Sequence, residues 1–180
     1  RRAARQAEVS AALKALGDSL SPKLAASESW KKVLEDWASI EKDGLDLIQR
    51  ENFLAHNRLV EDLLAFQVTV ADEYALTNDP DIDVSYLIDT AVDRSPQAIE
   101  RMGQLRALGT GVLTRKQPLV LLQQVEFTVL LAELNVAVNG LRRNVDKTAQ
   151  YHPALKSSLL ASVADIGDAA AKVTALVNQD

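Results

Sequence analysis

Four polar residues stand on otherwise apolar helical stripes and are the first candidates for chemistry: His56, Gln67, Tyr86 and Arg106. A buried polar group left unpartnered costs on the order of 1–3 kcal/mol, so each needs a protein group or a ligand. Arginine suits a carboxylate, because its planar guanidinium offers two parallel N–H donors. Arg106 is therefore the leading residue to hold an anionic ligand. Tyr86 and His56 would line the same space if the short helix carrying Tyr86 folds back on the helix carrying His56. Arg58, beside the stripe, is a second arginine for the same role. Internal pairing is the competing reading: Asp72 or Glu73 could neutralise Arg106, and His56 could be a hydrogen-bonded core histidine.

Motifs of catalysis and metal binding are missing. His56 and His152 lie in different elements and form no HExxH pattern. The Glu-x-x-His pairs of di-metal bundles, a P-loop and GxSxG are also absent. Without cysteine there is no disulfide, thiolate metal site or Cys nucleophile. The expectation is a protein that is not an enzyme and carries no cofactor and no metal. Asp79, Asp81 and Asp83 alternate as in a calcium loop, yet the central glycine and the distant glutamate of an EF-hand are lacking. Turning the chain and capping the next helix is the simpler reading of these aspartates.

The elements that position these residues read as helices throughout. Phe53, His56, Val60, Leu63, Gln67, Val70 and Tyr74 follow at steps of three and four, which is one stripe of an α-helix, widened by Leu59, Leu64 and Ala71. That helix begins after Asp46 and is stopped by the corner Asn78-Asp79-Pro80-Asp81. At roughly 31 residues it would be about 46 Å long. Before it, Val9, Leu13, Leu16 and Leu20 form one stripe, Ser21-Pro22 either restarts a helix or kinks one long helix, and Leu24, Trp30, Leu34, Trp37 and Ile40 continue to Gly44. Trp30 and Trp37 share a face, as core or as dimer interface.

After the corner comes a short helix, a restart at Ser95-Pro96, and an inner face of Ile99, Met102, Leu105, Arg106, Gly109 and Leu113. A turn at Lys116-Gln117-Pro118 leads to a long helix with Leu122, Val125, Val129, Ala132 and Val136 on one stripe. Arg142-Arg143 would meet the negative end of its dipole. Tyr151-His152-Pro153 ends it, and Leu155, Leu159, Val163, Ile166, Ala170, Val173 and Val177 mark the last helix. Short connections between long helices favour antiparallel neighbours. The expected fold is all-α: an elongated up-and-down antiparallel bundle of four long helices plus a short one, forming a single domain over residues 1–180.

Composition agrees. The chain has 180 residues, 47% hydrophobic and 25% charged, as expected of a globular core rather than a disordered chain. Its net charge of −5 argues against a nucleic-acid partner. No stretch reaches about 18 uninterrupted apolar residues, so no membrane span is expected; residues 119–138 come closest but are broken by Gln123, Gln124, Glu126 and Glu133. The start Arg1-Arg2-Ala3 reads as a piece of a longer protein.

One set of motifs is more specific than the bundle pattern. Trp30…Trp37, Glu51-Asn52-Phe53…His56-Asn57-Arg58-Leu59, Asp79-Pro80-Asp81-Ile82-Asp83…Tyr86-Leu87 and Gly103-Gln104-Leu105-Arg106-Ala107-Leu108-Gly109 occur in that order. Over residues 28–115 this resembles the helical extracytoplasmic sensor regions of bacterial methyl-accepting chemotaxis proteins and related transmembrane receptors, including some histidine kinases. The resemblance implies a periplasmic ligand-binding domain between two membrane helices of an inner-membrane protein. It implies a homodimer, with a small ligand such as an organic acid or amino acid held by arginines, and signalling by displacement of the terminal helices. A structural, dimerising bundle that binds nothing small and relays signals from a partner protein is the alternative.

Overall fold

The computed structural model describes residues 2–115 and 119–177, and among them the chain is all-α with no strand. The expected turn at Lys116-Gln117-Pro118 lies outside the described residues. Backbone contacts divide the chain into two compact units, Arg1–Tyr74 and Ala75–Asp180. Each has its own apolar core.

The first unit comprises α1 (Arg2–Ser19), α2 (Pro22–Ala25), α3 (Glu28–Asp43) and α4 (Gln49–Glu73). Ser21 caps α2 with Pro22 in its first turn, the expected restart, its hydroxyl accepting from the Leu24 N–H at 3.3 Å. Ser27 caps α3 in the same way, accepting from the Trp30 N–H at 3.2 Å. The core packs Trp30, Val33, Trp37 and Ile40 of α3 against Leu59 and Phe66 of α4, with Leu13 and Leu24. Trp30 and Phe66 lie with ring centroids 5.0 Å apart. Both tryptophans are therefore core residues, while Leu34 is exposed and Val33 takes its place.

Two expectations for α4 are corrected. The helix ends at Glu73, 25 residues long, well before Pro80, because Ala75 adopts a left-handed conformation with φ 52°. Its buried line is Leu59, Asp62 and Phe66, one position away from the expected stripe. His56 and Tyr74 are exposed. The cause is Asp62: a charged residue on the buried line breaks the apolar period there, so the pattern is more regular on the neighbouring line.

The second unit begins with a short 3₁₀ turn, Leu76–Asn78, then α5 (Ile82–Asp89), a π-turn (Thr90–Arg94) and α6 (Ser95–Arg115). These last three form one unbroken helical run, so the expected restart at Ser95-Pro96 does not occur. The Ser95 N–H reaches back five residues to the Thr90 carbonyl. Widening the turn accommodates Pro96, which has no N–H to give and would clash in a tight α-turn. A second long helix, α7 (Leu121–Tyr151), ends at His152 as expected, and α8 (Lys156–Val177) follows a 3₁₀ turn at Pro153–Leu155.

Phe127, Leu131, Leu134, Val138, Leu141 and Val145 make the buried line of α7. The expected stripe faces outward instead: Leu122, Val125, Val129 and Val136 are 58%, 50%, 49% and 68% exposed. α7 carries two apolar lines, and periodicity alone cannot choose between them. By length and hydropathy α7 also passes the test for a membrane span, although it supplies the centre of this unit's core. On α6 the inner line runs through Ala98, Leu105 and Gly111, leaving Ile99, Arg106 and Leu113 exposed. On α8, Val163 and Ala170 are buried, as the stripe predicts; the side chains of Val173 and Val177 lie outside those described. Arg142 and Arg143 sit more than a turn from the end of α7, beyond reach of its dipole. The Arg142 guanidinium instead occupies the space that a Cβ on Gly167 of α8 would fill.

Candidate functional site: a groove and a charge cluster in the first unit

A groove of about 630 Å³ opens among α1, the 44–48 turn and α4. Ligand sites typically measure about 300–1,000 Å³. Trp37, Ile40, Leu59 and Leu63 give it an apolar floor; Val9, Leu45 and Leu47 add walls; Arg5, Gln6, Gln49, Asn52 and His56 bring polar groups to its edge. Local hydrogen bonds set this arrangement. The Trp37 indole N–H donates to Ser10 Oγ at 2.9 Å, and Ser10 donates to Glu41 Oε1 at 2.7 Å, which ties α1 to α3. The Asn52 side-chain amide donates to the Gly44 carbonyl and pins the turn to α4. Gly44 is needed there because a Cβ would press on the Ile40 carbonyl.

His56 Nδ1 lies 2.8 Å from the Asn52 carbonyl oxygen. A carbonyl only accepts, so Nδ1 carries the hydrogen and Nε2 is left for a ligand. His56 is thus a groove residue rather than a core histidine.

A second polar feature crosses the α3–α4 interface. Lys32 and Asp36 on α3 face Arg58 and Asp62 on α4. Lys32 Nζ pairs with Asp62 Oδ1. Arg58 Nε lies 3.2 Å from Asp36 Oδ2 and 4.0 Å from Asp62 Oδ2. The Asp36 carboxyl is held above the ordinary value of 3.8 by desolvation, then by its hydrogen bond with Asp62 and the nearby Asp62 charge, against the pull of Arg58 and Lys32. The Asp62 carboxyl moves the opposite way, below 3.8: desolvation raises it, but hydrogen bonds from Asp36 and Lys32 and the charges of Lys32 and Arg58 outweigh that. Asp36 is therefore the member of the pair that first takes a proton. Arg58 has two carboxylate neighbours, which makes it a strut between helices as the structure stands.

The other expected site residues belong to the second unit. Arg106 is exposed on α6, and Tyr86 is half-buried on α5, where its carbonyl accepts from the Thr90 hydroxyl at 2.7 Å. Glu73 pairs with Lys23 in the first unit. At the corner, Asp79 Oδ1 accepts from the Asp81 N–H at 2.9 Å, and the Asp79 carbonyl accepts from Ser85 Oγ at 3.0 Å. Asp79 thus turns the chain; Asp81 occupies the cap position of α5 without a side-chain cap bond. Among the described residues no three His, Asp or Glu side chains gather as metal ligands would.

The second unit has its own polar node at the π-turn. Asp89 Oδ2 accepts from Arg94 Nε at 3.2 Å and from Asn144 Nδ2 at 2.6 Å. Gly140 makes room: a Cβ there would lie 2.9 Å from Arg94 Cδ. A smaller cleft of about 350 Å³ beside α7 and α8 offers Gln124, Thr128, Asn135 and Thr174 over Phe127 and Leu131, with no charged side chain in its lining.

The stripe reading missed Arg5, Asn52 and the Asp36–Asp62 pair. Opposite charges four residues apart on α3 and on α4 were the available signal for the pair. For Arg5 there was none, because its place beside α4 depends on how α1 folds back. No protein-family model, no curated protein and no solved structure matches the chain.

Proposed function

We propose that this chain is the ligand-binding sensor region of a chemoreceptor-type signal transducer, periplasmic and part of a bacterial inner-membrane protein. The observation that carries the reading is the groove of about 630 Å³, apolar within and rimmed by Arg5, Gln49, Asn52 and His56. Apolar walls with a few convergent polar groups are what small-ligand sites have in common. The motif series from Trp30 to Gly109 supports the same reading. The ligand is small and anionic, an organic acid or an amino acid in class. Its binding favours one arrangement of the helices, and only its difference in affinity for the two arrangements shifts their populations. The elongated up-and-down bundle, the homodimer and the membrane anchor belong to this reading.

The alternative reading, a dimerising bundle that relays signals from a partner protein, is favoured by the outward apolar line of α7, where Leu122, Val125, Val129 and Val136 are exposed. A thermal-shift screen against organic acids, amino acids and inorganic anions separates the two. A ligand that binds only the folded state raises the melting temperature by mass action. The sensor reading expects a reproducible rise with one class of anion; no shift across the panel supports the relay.

A further inference from the structure

The groove in the first unit has a charge pattern that selects among anions. Among the described residues its titratable lining side chains are Arg5 and His56, and none of the described lining residues is acidic. That is uneven for a chain of net charge −5 with 25 acidic residues against 20 basic ones. Three acids of the same unit are engaged elsewhere: Glu41 accepts from Ser10, and Asp36 and Asp62 are paired with Arg58 and Lys32. Arg5 makes no ion pair or hydrogen bond among the described residues. His56 Nε2 is left as an acceptor, since Nδ1 donates to the Asn52 carbonyl, so Arg5 is the group that can hold an anion. The floor of the groove is apolar, made by Trp37, Ile40, Leu59 and Leu63. A small dicarboxylate or a zwitterionic amino acid would place a second charge against that floor, and desolvating it unpaired is costly.

We infer that the groove takes a monocarboxylate with an extended apolar body, its carboxylate on Arg5 and its hydrocarbon over Trp37, Leu59 and Leu63. This rests on the sensor reading and narrows its ligand class. Affinity for straight-chain acids should rise about fourfold per methylene while the body still gains buried surface.

The test uses the whole 180-residue chain with octanoate, octanol and octylammonium as probes, read by calorimetry and by NMR of the indole N–H groups. Octanoate should bind, and octanol should bind about tenfold more weakly for lack of the charged contact. Octylammonium should be weaker still. The Trp37 indole signal should move while that of Trp30, which does not line the groove, stays in place. Arg5→Glu should reverse the order of octanoate and octylammonium; Val9→Glu, at another exposed groove position, should act in the same direction.

Equal binding of octanoate and octylammonium overturns the inference, and so does octanoate binding with an unmoved Trp37 indole. If octanoate is inert but another acid or an amino acid raises the melting temperature, this ligand class falls and the sensor reading stands. If octanoate binds as described yet changes no amide exchange outside the groove, the site stands and the sensing role falls.

Discussion

The two units are built from different side chains, and the larger groove lies in the unit with the larger rings. In the first, Trp30, Trp37 and Phe66 fill the core. Large rings hold α3 and α4 apart and leave a groove where α1 and the 44–48 turn meet α4. In the second, Ala98, Ala137 and Ala170 sit in the core, and Gly140 and Gly167 let arginine side chains lie directly on a neighbouring backbone. Small residues bring helices close, and the arginine stems then occupy what space remains. The charged groups differ too. The first unit pairs two carboxylates with two cations across an interface, whereas the second gathers Arg94 and Asn144 on one carboxylate at a turn.

The sharpest way to break this contrast is to remove a ring. Trp30→Ala should cost about 3–5 kcal/mol of stability, at the upper end for a core truncation. Hydrogen exchange should report the loss in α3 and α4. A milder blow falls on the second unit: Gly140→Ala pushes a methyl group against Arg94 and should cost about 1–3 kcal/mol by overpacking. Gly140→Ala with Arg94→Ala should recover part of that loss, which chemical denaturation can measure; no recovery would mean that the arginine stem is not what fills the gap.

The smallest effect is a pH dependence in the first unit. Asp62 has a folded value below 3.8, so its stabilisation is present above pH 3.8 and fades as the pH drops through the folded value. Asp36 has a folded value above 3.8, so it works the other way: its contribution is largest below 3.8 and is lost as the pH rises through the folded value. Asp62→Asn should therefore destabilise at pH 7 by about 1 kcal/mol and less at pH 3. Asp36→Asn should be more favourable, relative to the native chain, at pH 7 than at pH 4. Denaturation midpoints across that range give both signs, and parallel curves for the two variants would remove the Asp36–Asp62 contact from the account.

Helix content, the Ser21-Pro22 restart and the stop at His152 could be read from the chain because each depends on a few neighbouring residues. The facing of helices could not. On α4 the buried line contains Asp62, and partners on another helix, Lys32 and Asp36, together with Arg58 beside it, make that charge tolerable. On α7 two apolar lines compete, and what settles the choice is that Ala137, Gly140 and Leu141 are packed inward. The site followed from the facing. Arg106 was chosen as an inner residue and stands outside, one step from the buried Leu105. His56 borders a groove instead of lying in a core. Arg5, which lines the same groove, lies 51 residues earlier.

The π-turn has one more consequence. A ring closed to the fifth residue holds one residue more than an α-turn, which in angular terms is about 100° of helix phase. Drawing Thr90–Arg94 back to α geometry would turn all of α6 about its own axis by that step and hand the inner line from Leu105 to a neighbour. The bonds from Arg94 and Asn144 to Asp89 act as the catch on this setting. What they hold, together with Pro96, is an angle more than a distance: the setting of a 21-residue helix about its own axis.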